Sequence, residues 1–93
     1  MKARKIENAK KFTDIPNVGK RIESDLLYLG YKKPIDLVGA DGFQMYEALC
    51  KKTKVKHDPC VLDTFLAIAD FASGGSAKKW FRFTSLRKEK YKV

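Results

Sequence analysis

The stretch Ile15-Pro16-Asn17-Val18-Gly19-Lys20-Arg21 carries the residues best suited to holding an anion. Pro, Asn and Gly within four positions specify a sharp reversal. Gly, and after it Asn, most readily adopts φ > 0, so Asn17 and Gly19 are expected in left-handed or strained conformations. Ile15 and Val18 are threaded through the same turn. A solvent loop has no use for two β-branched apolar residues, so both are expected to face inward and pin the turn. A pinned turn that opens into a helix leaves backbone N–H groups aimed outward. With the positive end of the helix dipole behind them, those groups suit a phosphate. Lys20 and Arg21 fall in the first helical turn, where the dipole disfavours a cation by roughly a few tenths of a kcal/mol. A bound phosphate reverses that sign. The competing reading is a purely structural reversal.

Other groups carry weaker signals. Cys60 lies in the first turn of a helix with His57 close by, an arrangement that lowers a thiol pKa and suits a nucleophile or redox centre. Asp58 opposes that shift, and a small cysteine near a helix start is commonly core. Cys50, His57 and Cys60 together suggest zinc, but three ligands are too few for a closed structural site. Asp63 and Asp70 share one stripe of a helix, where they would hold a metal or pair with the basic C-terminal segment. Trp80, Phe81, Phe83 and Tyr91 alternate with Lys78, Lys79, Arg82 and Arg87. Aromatics among cations stack on unpaired bases. In a domain short of core, Trp80 and Phe81 are instead expected to fold back as a lid. Residues 87–93 are expected to be a mobile basic arm.

The elements that must position these residues are short and helical in period. Residues 4–12 read as a first helix with Ile6, Ala9 and Phe12 on one stripe. Over 18–29, Val18, Ile22, Leu26 and Leu29 share a face, and Gly30 stops the helix. Pro34 opens and Gly39 closes a short helix, 34–39. Asp41 caps a helix over 41–52, and Asp58 with Pro59 starts a long one over 58–72. That last helix is apolar on most of its circumference, the mark of a central helix. The segment 76–93 is a basic, aromatic tail with a final helical turn after Thr84. No alternating strand pattern of useful length appears. The chain is therefore expected to be all-α, one compact five-helix domain over residues 1–93.

Ninety-three residues make one domain with a modest core, too small for a large catalytic cleft. The two cysteines do not make a disulfide scaffold. No apolar run is long enough to span a bilayer, and the N-terminal residues have no apolar signal region. The cytoplasm is the expected location, with no membrane partner. The net charge is +9 and unevenly spread: residues 1–12 contribute +4, 51–57 contribute +4 and 78–93 contribute +6, whereas 34–50 contribute −3. Such an excess attracts polyanions, nucleic acid first; the alternative is a Lys-rich surface serving solubility.

The pattern apolar-x-Gly-apolar-Gly between two helices is the helix-hairpin-helix signature, and "IPNVG" resembles it with Asn17 in place of the first Gly. The likeness extends to "IPNVGKRIESDLLYLG", "DLVGAD", "MYEALC", "HDPCVLDTF", "ADFASGG" and "KKWF", in that order. Over roughly residues 12–90 the chain is similar to a small bacterial helix-hairpin-helix family known as pathogenicity-locus or mitomycin-resistance proteins. The resemblance implies a helix-hairpin-helix (SAM-like) fold and a DNA contact. Mitomycin crosslinks DNA, which points toward DNA metabolism. Carried over by position, Asn17, Val18 and Gly19 form the turn that offers backbone N–H groups to a phosphate. Lys20 and Arg21 supply charge. Glu23 stands where many such motifs place Ala, and its carboxylate weakens the positive field.

The helix at 41–52, the turn "TKVKH" and the helix at 58–72 have the order of a second, degenerate hairpin. Lys54, Lys56 and His57 precede a helix start there and are candidates for a second phosphate, against a solvated basic turn. Lys78, Lys79 and Arg82 are further candidate DNA contacts. The expected function is DNA binding through the backbone with little sequence preference, in repair or damage resistance. No enzymatic activity, cofactor or metal is expected. The alternatives are a protein-interaction adaptor built on the same domain and a small thiol enzyme at Cys60.

Overall fold

Three helices carry the core: α1 (Lys20–Tyr28), α2 (Gly42–Thr53) and α3 (Pro59–Ala72). A fourth, α4 (Thr84–Leu86), is a single turn in the C-terminal segment. The structure, a computed structural model, describes residues 2–91, and it contains no strand among them. Short 3-10 turns at Ile6–Asn8, Phe12–Asp14, Pro34–Leu37 and Trp80–Phe83 fill the connections, and a π turn, Arg87–Tyr91, follows α4. No helix among the described residues is long and apolar enough to cross a membrane.

Helix α3 is the centre. The Asp58 carboxylate accepts the Cys60 N–H at 2.8 Å, and Pro59 occupies the first helical position. Every residue from Val61 to Ala69 is buried. Gly74, at φ +103, ends the helix while the Gly75 N–H bonds the Asp70 carbonyl at 2.9 Å. Helix α1 ends in the same way: Gly30 has φ +103, and the Tyr31 N–H reaches the Leu26 carbonyl at 3.1 Å.

Helix α2 lies against α3 and starts on the Asp41 carboxylate, which accepts the N–H groups of Phe43 and Gln44. Its first residue, Gly42, rests on the α3 backbone, where an added Cβ would stand 2.8 Å from both Cα and N of Leu66. The helix stops at Lys54, which adopts φ +59. A lysine in this left-handed position costs about 1–2 kcal/mol relative to glycine.

The expected five helices are not what forms. Residues 4–12 make no helix: they give the Ile6–Asn8 turn and then an extended stretch with Ala9 at φ −79, ψ 123 and Lys11 at φ −137, ψ 162. The Asp14 carboxylate takes the N–H groups of Lys10 and Lys11 at 3.0 and 3.2 Å, withdrawing those donors from a helix. A segment this short has little to set against the nucleation cost. Residues 34–39 form only the 3-10 turn Pro34–Leu37, and there Asp36 accepts from Lys32 and Lys33, both at 3.1 Å. The sequence Lys-Lys-x-x-Asp thus builds the same turn twice. The turn at 15–19 consequently joins a 3-10 turn to α1 rather than helix to helix.

The C-terminal segment folds back over α3 at several points. Lys78 pairs with Asp70 at 2.9 Å. Thr84 donates to Asp63 Oδ2 at 2.8 Å, and Arg87 Nε donates to Asp63 Oδ1 at 2.6 Å. Tyr91 stacks on Phe43 with ring centroids 4.5 Å apart. Both aspartates therefore pair with this segment. Arg87 is buried, so residues 87–91 are not the mobile arm expected of them; Lys92 and Val93 lie outside the described residues. The expected lid is also corrected. Phe83 and Tyr91 pack on the core, Trp80 is half-buried, and Phe81 is 57% exposed.

Candidate functional site

The turn into α1 is built by Ile15 and Val18, both buried to within 1% of completely. The Val18 N–H bonds the Ile15 carbonyl at 3.1 Å, closing a four-residue turn with Pro16 second and Asn17 third. Asn17 has φ +72, as a proline-initiated turn of this kind requires at its third place. Gly19 differs from expectation: at φ −103, ψ −170 it is extended, a conformation open to any residue. An added Cβ there would meet nothing within 4 Å. Neither backbone strain nor crowding accounts for a glycine at this position. The first N–H groups of α1 have no intrahelical acceptor, and no side chain caps them.

Lys20 and Arg21 are exposed and make no hydrogen bond or ion pair among the described residues. Glu23 is in neither of the ion pairs that these residues form among themselves. A third cation, which local sequence reading missed, lies under the turn. Lys2 Nζ donates to the carbonyls of Thr13 at 2.6 Å, Ile15 at 3.1 Å and Val18 at 2.8 Å. It is 11 to 16 residues away in sequence, and nothing local signals it.

The Asn17 side chain points to the C-terminal segment. Its Nδ2 donates to the Lys78 carbonyl at 2.6 Å, and its Oδ1 accepts the Trp80 N–H at 3.1 Å. A hollow of about 490 Å³ opens beside this clamp, with Lys2, Arg4, Pro16, Asn17, Lys78 and Lys79 on its walls. Lys79 and Arg82 are exposed, whereas the Lys78 ammonium is committed to Asp70.

The second turn, between α2 and α3, is closed by its own hydrogen bonds. Thr53 Oγ1 lies 2.9 Å from His57 Nε2, the Cys50 thiol accepts the His57 N–H at 3.4 Å, and the Tyr46 hydroxyl donates to the His57 carbonyl. Burial, then Cys50, pushes the Tyr46 hydroxyl up to about 12. Lys54 and Lys56 remain exposed. The α3 N-terminus already holds a carboxylate. The N–H of Cys60 first, then its thiol, lowers the Asp58 pKa, and the charges of Arg87 and Arg21 add to this. Arg21, Asp58 and Cys60 line one shallow hollow, so the starts of α1 and α3 share a face.

The carboxylate of Asp58 is also the first cause that raises the Cys60 thiol, with desolvation second, so the opposition expected of Asp58 outweighs the lowering that a helix start gives. Cys60 is exposed and free. Its alkylation by iodoacetamide at neutral pH is expected to be slower than that of an unstructured cysteine peptide. A faster rate would show an activated thiol. Among the described residues no group of three His, Cys, Asp or Glu is placed to hold a metal ion.

These features define an all-helical domain in which two exposed cations, Lys20 and Arg21, stand at an uncapped helix start. The chain belongs to the Cdd1 pathogenicity-locus family, whose model matches residues 5–89. It is 30% identical over 76 residues to the mitomycin resistance protein McrB of Streptomyces lavendulae, covering 82% of this chain and 72% of that protein. No solved structure matches the chain.

Proposed function

We propose that this protein binds DNA through the phosphate backbone, with the 15–19 turn acting as a helix-hairpin-helix contact. The observation that carries the proposal is the open start of α1. Gly19 is a glycine that the fold does not require, its position offers the helix no side-chain cap, and Lys20 and Arg21 stand beside it in no ion pair among the described residues. A phosphate seated there takes hydrogen bonds from the uncapped N–H groups and offsets the repulsion between the helix dipole and two cations. The Asn17 side chain, turned toward Lys78 and Trp80, does not crowd that approach. The short α2–α3 turn contributes charge through Lys54 and Lys56, while Asp58 fills the phosphate position at α3. A contact made by backbone N–H groups and two cations meets phosphates rather than base edges, so sequence preference is slight. The reading makes this a binding protein rather than an enzyme. A role in damage resistance is supported by the name of the mitomycin resistance relative.

The test is a duplex-binding titration at two or more salt concentrations. Changing Lys20 and Arg21 together to Ala is expected to lower the log–log salt slope by roughly two phosphates' worth. An unchanged affinity and slope would place the contact elsewhere. A protein-interaction adaptor is the second reading. It is favoured by the exposure of Ile35 and Val38, about half accessible, along a hollow of about 620 Å³ beside Phe71. Salt-insensitive self-association without DNA binding would decide for it.

A further inference from the structure

Asn17 stands where the turn motif has a glycine, and its backbone conformation is one that glycine adopts freely. What asparagine adds is the pair of hydrogen bonds to the Lys78 carbonyl and the Trp80 N–H. Those bonds tie residues 78–80 to the turn across more than sixty residues of sequence. The rings that follow are thereby held beside the proposed phosphate contact. Trp80 and Phe81 meet edge to face, with centroids 5.8 Å apart and planes at 81°. Trp80 is half-buried and braced by the clamp, whereas Phe81 is 57% exposed. Lys79 and Arg82 flank the pair in sequence, exposed and free of ion pairs among the described residues.

We infer that the Trp80–Phe81 pair is a stacking platform for an unpaired base of a DNA strand whose phosphate lies on the 15–19 turn. The preferred ligand is then duplex DNA carrying a short single-stranded overhang. The inference rests on the DNA-binding reading above and extends it to the form of DNA. The Phe81 ring has little to gain from the fold in its present position, and a base has a π-face to offer it. Lys79 and Arg82 supply the charge that a strand passing over the rings would meet. Stacking of this kind tolerates any base, in keeping with weak sequence preference. The clamp at Asn17 ties the backbone that bears the rings to the turn itself, a placement that a flexible tail would not maintain.

Trp80 is the single tryptophan of the chain, so its emission reports on the platform directly. The experiment compares a blunt duplex with the same duplex carrying a short overhang, by Trp80 fluorescence and by affinity. The overhang probe is expected to quench Trp80 and to bind about 5- to 100-fold more tightly. Phe81→Ala is expected to remove that excess while leaving the affinity for blunt duplex and the melting midpoint unchanged. Phe81→Tyr is expected to keep the preference. Equal affinity for the two probes without quenching overturns the platform and leaves the phosphate contact standing. No binding to either probe overturns the phosphate contact itself. Equal losses on both probes in Phe81→Ala, or loss of a self-associated state instead, assign the ring to another role and also overturn the inference.

Discussion

Asp63→Ala is expected to lower the stability of the domain by about 3–5 kcal/mol and to release the C-terminal segment. Asp63 is completely buried, and each of its oxygens has one partner in that segment: Arg87 Nε at 2.6 Å and Thr84 Oγ1 at 2.8 Å. Removing the carboxylate takes from the Arg87 guanidinium, itself 7% exposed, the buried counter-charge that its Nε reaches at 2.6 Å. A domain of this size has only about 5–15 kcal/mol in total. The melting midpoint should fall by roughly 12–40 °C, at about 4–8 °C per kcal/mol. Trypsin is then expected to cut within residues 82–90 faster than it cuts the wild type. Breaking such a pair costs more than replacing it, so Asp63→Leu with Arg87→Met is expected to recover much of the loss. A change below about 1 kcal/mol in Asp63→Ala would show that the segment is held mainly by its other attachments.

Gly42→Ala is expected to destabilise by about 2–3 kcal/mol, as overpacking does at rigid sites. Helix propensity alone argues the opposite sign, since alanine is favoured over glycine by about 1 kcal/mol within a helix. The contact decides. The new Cβ would stand 2.8 Å from Cα and N of Leu66 and 2.9 Å from the carbonyl carbon of Phe65. These are backbone atoms in the middle of the central helix and cannot swing aside as a side-chain end can. The start of α2 must lift from α3, loosening the packing of Met45 and Leu49 behind it. Thermal or urea unfolding measures the effect, and a stabilised Gly42→Ala would mean that the two helices separate at little cost.

The two cases separate what local sequence carries from what it cannot. The starts of α2 and α3 and the stop of α1 were legible because they rest on neighbours in sequence: Asp41 and Asp58 as caps, Pro59 at a first position and Gly30 as a terminator. The 4–12 segment misled because its apolar spacing is helical, while the Asp14 carboxylate, just beyond it, takes the amides of Lys10 and Lys11. The paired Lys-Lys-x-x-Asp sequences were the available signal for both 3-10 turns. At the turn, the inward Ile15 and Val18 and the positive φ of Asn17 were legible; the extended Gly19 was not, since a helix start can use glycine in several conformations.

By itself the sequence determined an all-helical chain, three of its helix positions, a pinned turn at 15–19 and a large positive charge. Each of these follows from composition, from periodicity or from chemistry acting over a few residues. Tertiary structure alone decided that Gly42 touches α3, that Lys2 sits beneath the turn, and that Asn17 binds Lys78 and Trp80. Pairing of Asp63 and Asp70 with the basic C-terminal segment was one of two readings open to the sequence; tertiary structure alone decided that Thr84 and Arg87 are the partners of Asp63 and that this pair is buried. A stripe of aspartates and a run of cations state that charges can meet, but no local pattern states which of the cations arrives or whether water is excluded when it does.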